Sequence, residues 1–133
     1  RKRLGEEERQ GYYVVMEPVD PKFVRKRWGS ETWFANNELH DYCGKILRIE
    51  AGHSTSMHFH LEKHETFFIL EGTLQVDWVE TESGDVKTTL VNSDECMEMP
   101  RGVPHKLIAN DEHVRLIEAS TFHRNSDSFR VWK

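Results

Sequence analysis

Apolar and polar residues alternate in short runs along most of the chain, and turn-forming residues interrupt them every few positions. The first run, "YYVVMEPV" at 12–19, predicts an early strand ended by Pro18 and Pro21. "KILRIEA" at 45–51 follows and stops at Gly52. "TFFILEG" leads into "TLQVDWVE", with Gly72 predicting a tight turn or bulge between them. "ESGD" at 82–85 reads as a hairpin turn into "VKTTLV", and "CMEMP", "HKLIA" and "VRLIEAS" complete the set. The pattern predicts eight or more strands and, beyond the N-terminal segment, no helix of about ten residues. "LEKHETFFILEG" is the one stretch that fits an amphipathic helix, but Thr66, Phe67, Phe68 and Ile69 favour a pleated surface. The expected class is all-β, as a two-sheet sandwich or jelly roll.

Composition narrows this picture. The 133 residues fit one domain, expected over 11–133, with "RKRLGEEERQ" at 1–10 as a frayed tail or short helix. A chain with 37% hydrophobic and 31% charged residues reads as a soluble globular protein. No apolar run approaches the roughly 20 residues of a spanning helix, so no membrane association is expected. The start carries charges without the apolar stretch of a secretory signal, and it lacks methionine, as a trimmed chain would. A net charge of −5 argues against nucleic-acid binding. The cluster Lys22, Arg25, Lys26 and Arg27 reads as a solvated loop or as an attractor for phosphate. Cys43 and Cys96 form no CxxC motif, which favours a reduced, cytoplasmic setting and leaves a disulfide between them open.

Candidate chemistry concentrates in "MHFHLEKHE" at 57–65. On a strand, His58 and His60 share a face, so two imidazoles reach one point without bending the backbone. Glu65 follows a four-residue turn and can return to that point. His105 comes directly after the rigid turn "PRGVP" and supplies a fourth donor from another hairpin. Three imidazoles and one carboxylate at this spacing predict one divalent transition metal: zinc, manganese, iron or nickel. His64 is expected to face the opposite side, and His40, His53, His113 and His123 are expected on the surface.

These residues resemble the cupin superfamily. Its first motif, G(X)5HXH(X)3–4E(X)6G, is matched without a gap by Gly52, His58, His60, Glu65 and Gly72. Its second, G(X)5PXG(X)2H(X)3N, is matched at Pro100, Gly102 and His105, with Asp94 at the leading glycine position and Asn110 one residue late. The resemblance covers about residues 40–120 and implies a cupin jelly-roll β-barrel, a double-stranded β-helix. The stretch "RKRWGSETWFANNELHDYCGKILRIEAGHSTSMHFH", with its pair Trp28-Gly29, is similar to small cupins of the type II phosphomannose isomerase kind, as is the acidic pair Asp94-Glu95 that opens the second motif. Lys63 stands where those proteins carry an arginine, which keeps the charge and loses the bidentate fork.

A four-donor set leaves positions open on an octahedral ion, as catalysis requires. The resemblance implies aldose–ketose isomerisation of a sugar or sugar phosphate, of the mannose-6-phosphate isomerase type. Lys45 and Lys63 are the candidate substrate anchors, with ordinary surface lysines as the alternative, and no residue is assigned as general base. An Fe(II) dioxygenase and a non-catalytic small-molecule-binding cupin are the other readings. Phe59, Phe67, Phe68 and Trp78 lie near the site, on faces that alternation alone leaves open. The resemblance implies a homodimer, and the four Trp and seven Phe leave aromatic surface for it.

Overall fold

A computed structural model describes residues 16–132. Among the described residues eleven strands run in chain order: β1 (Lys22–Lys26), β2 (Gly29–Asn37), β3 (Tyr42–Ile49), β4 (Met57–Phe59), β5 (Glu65–Glu71), β6 (Leu74–Val79), β7 (Val86–Val91), β8 (Cys96–Met99), β9 (His105–Ala109), β10 (Val114–Ser120) and β11 (Phe129–Trp132). Among the described residues the one helical element is a 3₁₀ turn at Asn125–Asp127. Six strands form one sheet in the order β1-β2-β3-β10-β5-β8, and five form the other as β11-β4-β9-β6-β7. Every pairing within the named strands is antiparallel. This is the two-layer jelly roll that the alternating runs predict.

Period-two alternation builds the interior. In β3, Lys45, Leu47 and Ile49 are buried. In β10 the buried positions are Val114, Leu116 and Glu118, paired respectively with Ile49, Leu47 and Lys45. In β5 they are Glu65, Phe67 and Ile69, and in β9 His105, Leu107 and Ala109. Leu74 and Val76 of β6 close the core from the second sheet. Each of β3, β5, β9 and β10 therefore carries apolar side chains at one end and a titratable one at the other, and antiparallel pairing gathers like ends together.

The turns between motif positions follow backbone sterics. Asp94, at the leading glycine position of the second motif, has φ +69, in the left-handed region where Asp is tolerated better than most residues. The substitution therefore keeps the turn. Gly72, at φ +83, lies where an added Cβ would come within 2.5 Å of the His113 carbonyl oxygen. It does not close a hairpin: β5 and β6 belong to different sheets, and Gly72 marks the corner between them. The predicted hairpin at 82–85 is present, joining β6 to β7.

Other expectations change. Of the early strand, Tyr12–Val15 and the whole tail at 1–10 lie outside the described residues, and Met16–Val19 are not strand. The basic cluster at 22–27 is no loop: Lys22–Lys26 form β1, held by a five-residue register with β2. Both cysteines are free, Cys43 buried and Cys96 exposed. Among the described residues no helix is long and apolar enough to cross a membrane.

Candidate metal centre

His58 on β4 and His105 at the start of β9 are direct cross-strand partners, which sets their imidazole centroids 4.7 Å apart. His60 follows β4 immediately, with its ring 5.1 Å from His58 and 5.7 Å from His105. One nitrogen from each of the three lies within 4.8 Å of the other two, a group that can hold a metal ion. Glu65, the first residue of β5, reaches in from the other sheet. Its Oε2 lies 3.1 Å from His105 Nε2 and 3.6 Å from His60 Nε2.

Each imidazole is oriented by a backbone carbonyl. Nδ1 of His58 donates to the Ser56 oxygen at 2.8 Å, Nδ1 of His60 to Asp127 at 2.8 Å, and Nδ1 of His105 to Val103 at 2.9 Å. A carbonyl only accepts, so Nδ1 carries the hydrogen and each Nε2 presents a lone pair. Burial and the neighbouring His105 push His58 down to about 4, and burial with the Lys63 charge lowers His60, so both rings are neutral near pH 7. Glu65 Oε2 is buried without a hydrogen-bond partner. Lone pairs of nitrogen and oxygen thus converge in a buried space, an arrangement that repels itself until a cation is added. The donor set fits a divalent transition metal.

Three features hold these donors in place. The Asp127 carboxylate accepts the backbone N–H groups of Leu61, Glu62 and Lys63 at 2.8–3.2 Å, while its carbonyl holds His60. The 3₁₀ turn thereby pins the loop between β4 and β5. From the second motif, Gly102 N–H donates to the His60 carbonyl at 2.7 Å. Lys63 Nζ lies 3.4 Å from Glu65 Oε1 and 2.9 Å from Glu118 Oε2, so Glu65 turns its other oxygen to the histidines. Burial opposes ionisation of Glu65, but the charge of Lys63 outweighs it and holds the carboxyl well below its usual range. Burial raises Glu118.

The centre opens into a cavity of about 500 Å³ whose lining includes Glu31, Lys45, Lys63, Glu118 and His123. The surface alternative for the two lysines fails: both are buried, and each is paired. Lys45 Nζ lies 3.5 Å from Glu31 Oε1 and 4.1 Å from the centre of the Trp33 ring. His123, expected on the surface, is half-buried and lines the cavity. Its Nδ1 accepts from Lys63 at 3.1 Å, Nε2 donates to Asn125 at 3.0 Å, and burial with both lysines pushes it down to about 3. Of the other histidines, His40 and His53 are exposed as expected, and His113 is half-buried against Glu71. His64 faces away from the centre, half-buried against Glu98. Phe67 points inward and Phe68 outward, Phe59 stacks on Phe129, and Trp78 packs against the core.

Glu31, Glu118, His123 and Asp127 are functional candidates that sequence reasoning did not single out. Glu118 carried a signal, because it continues the parity of Val114 and Leu116. His123 and Asp127 carried none, since they reach the site through an irregular segment.

Residues 45–120 match the family model described as the cupin domain. The fold is similar to that of the capsular polysaccharide assembling protein CapF from Staphylococcus aureus, at 17% identity over 92% of this chain and 37% of that one, with a TM-score of 0.75. It is similar too to oxalate decarboxylase from Bacillus subtilis, at 17% identity over 90% of this chain and 33% of that one, TM-score 0.75. The Lactobacillus farciminis oxalate decarboxylase formate complex gives 18% identity, 90% and 38% coverage, and a TM-score of 0.73. The chain spans 33–38% of the length of these proteins. No curated protein matches the sequence significantly.

Proposed function

The chain belongs to the cupin family, and from that premise we propose a metal-dependent enzyme that interconverts aldose and ketose forms of a sugar or sugar phosphate. His58, His60, Glu65 and His105 are the proposed ligands. The observation that carries the reading is the converging set of bare Nε2 atoms and the partnerless Glu65 oxygen, opening into a cavity lined mainly by polar and charged side chains. Such a lining suits a polyhydroxylated substrate, whereas an oxygenase substrate calls for more aromatic and aliphatic wall than Trp28, Leu47, Phe67 and Leu107 provide. CapF, described as assembling a capsular polysaccharide, is a fold relative with a sugar-related role.

When bound, a divalent transition metal supplies Lewis acidity toward a carbonyl oxygen. The chain's own residues do the rest. Lys63 and the three backbone carbonyls keep the donors aimed, so little reorganisation accompanies binding. Glu31 is the proposed proton carrier between adjacent substrate carbons. Burial opposes its ionisation, but Lys45 and the Trp33 N–H at 2.8 Å keep it a carboxylate. Its Oε1 receives both hydrogen bonds, and its Oε2 stands 4.0 Å from Lys26 Nζ. We place the protein in the cytoplasm, as a homodimer with one small-molecule site per chain.

Elemental analysis of anaerobically purified protein, beside a His58→Ala/His60→Ala variant, tests the reading. Near-stoichiometric zinc, manganese or nickel that the variant loses is the expected result, followed by turnover on a sugar-phosphate panel that Glu31→Gln abolishes. Iron with oxygen uptake would replace the isomerase by a dioxygenase. Empty wild-type protein after metal addition would leave only a binding module.

A further inference from the structure

Five cationic side chains line the cavity, and three of them already face a carboxylate. Lys45 and Lys26 are held by Glu31, at 3.5 and 4.0 Å, and Lys63 by Glu118 and Glu65. The other two, Arg27 and Arg130, have no ion-pair or hydrogen-bond partner for their side chains among the described residues. We propose that Arg27 and Arg130 form an oxyanion subsite that seats the phosphate group of a sugar phosphate. This rests on the metal-dependent reading above and transfers phosphate recognition away from Lys45 and Lys63, whose charges are already engaged.

Placement supports the pair. Arg130 lies directly opposite His58 in the β11–β4 register, so its side chain leaves the strand on the same face as the imidazole. Arg27 occupies the turn between β1 and β2, in the other sheet, and lines the same cavity. Both residues are exposed, so their guanidinium groups are reachable from solvent. A guanidinium matches a phosphate through two parallel N–H donors, which an ammonium cannot do.

Charge selects the ligand. The lining carries five cationic groups against three carboxylates, Glu31, Glu65 and Glu118, an excess of two on a chain whose net charge is −5. A phosphate monoester carries about −1.5 to −2 near pH 7, and a carboxylate only one charge. The cavity thus favours a phosphorylated sugar over a neutral sugar or a monocarboxylate.

Calorimetric titration of manganese-loaded protein with inorganic phosphate, mannose 6-phosphate, mannose and gluconate tests this. Arg27→Gln and Arg130→Gln are compared with Arg115→Gln, whose arginine pairs with Glu71 outside the cavity. The expected result is a Kd for inorganic phosphate and mannose 6-phosphate weakened about tenfold or more by each cavity variant. Arg115→Gln should leave it unchanged, and metal content and melting temperature should hold in all three. Phosphate affinity insensitive to both cavity variants would overturn the subsite while leaving the metal centre standing. Gluconate binding without phosphate binding would overturn the choice of anion. Wild-type protein that takes up no metal would overturn the premise, and elemental analysis reads that separately.

Discussion

The two ends of the interior are built by the same strands and held by different physics. At one end Leu47, Ile49, Ile69, Val114 and Leu116 pack with Leu74, Val76 and Ala109, and all are nearly inaccessible. At the other, two to four residues along each strand, Lys45, Glu65, His105 and Glu118 are just as buried. The apolar end is stabilised by surface removed from water, with no demand on direction. The charged end has to satisfy each group by a named partner at a set distance, and its one orphan, Glu65 Oε2, lies where a cation is wanted. Stability can thus be concentrated in one half of a barrel while the other half is kept costly, oriented and reactive.

The sharpest break in this comparison is His58→Ala/His60→Ala, which should abolish metal binding by elemental analysis and leave the far-ultraviolet circular dichroism of a β-protein intact, because neither residue belongs to the apolar half. Glu118→Ala comes next. It strips Lys63 of its 2.9 Å partner and should cost about 3–5 kcal/mol in urea unfolding, and Lys63→Met with Glu118→Leu should recover only part of this, because Glu65 then loses its own cation. Leu116→Ala at the apolar end should cost about 2–5 kcal/mol through its cavity, without changing metal content per folded molecule. Asp127→Ala should weaken metal affinity about 10–100-fold in a competitive chelator titration, as it releases the loop that carries His60.

The last effect, small within any one pH unit, concerns pH. His123, near 3 in the fold against an ordinary 6.5, stays neutral where the unfolded chain binds a proton. Stability contributed in this way is present above about 6.5 and is lost as pH falls toward 3, at up to about 1.4 kcal/mol per pH unit. His58 titrates in the same window. The difference in urea-unfolding slope between wild type and His123→Gln isolates one of the two, and identical slopes would remove His123 from the account.

The spacing of His58, His60, Glu65 and His105 was legible in the sequence because local geometry is short-ranged: a strand places i and i+2 on one face, and a rigid turn delivers His105 at a strand start. The strands from "KILRIEA" onward were legible for the same reason, since alternation is a property of neighbours. β1 and β2 were not, because "KFVRK" and "GSETWFANN" are mostly polar and become strands only by pairing with each other and with β3. The inward face of β3 and β10 was undecided as well. Ile46 and Ile117 make the outer parity almost as apolar as the inner, and they meet across the sheet on that side. What only the tertiary structure decided is which charges meet. Asp127 lies 67 residues from His60, and Lys63 lies 55 from Glu118. Sheet order and the return of β11 bring them together, and pairings set by topology leave no periodic trace along a chain.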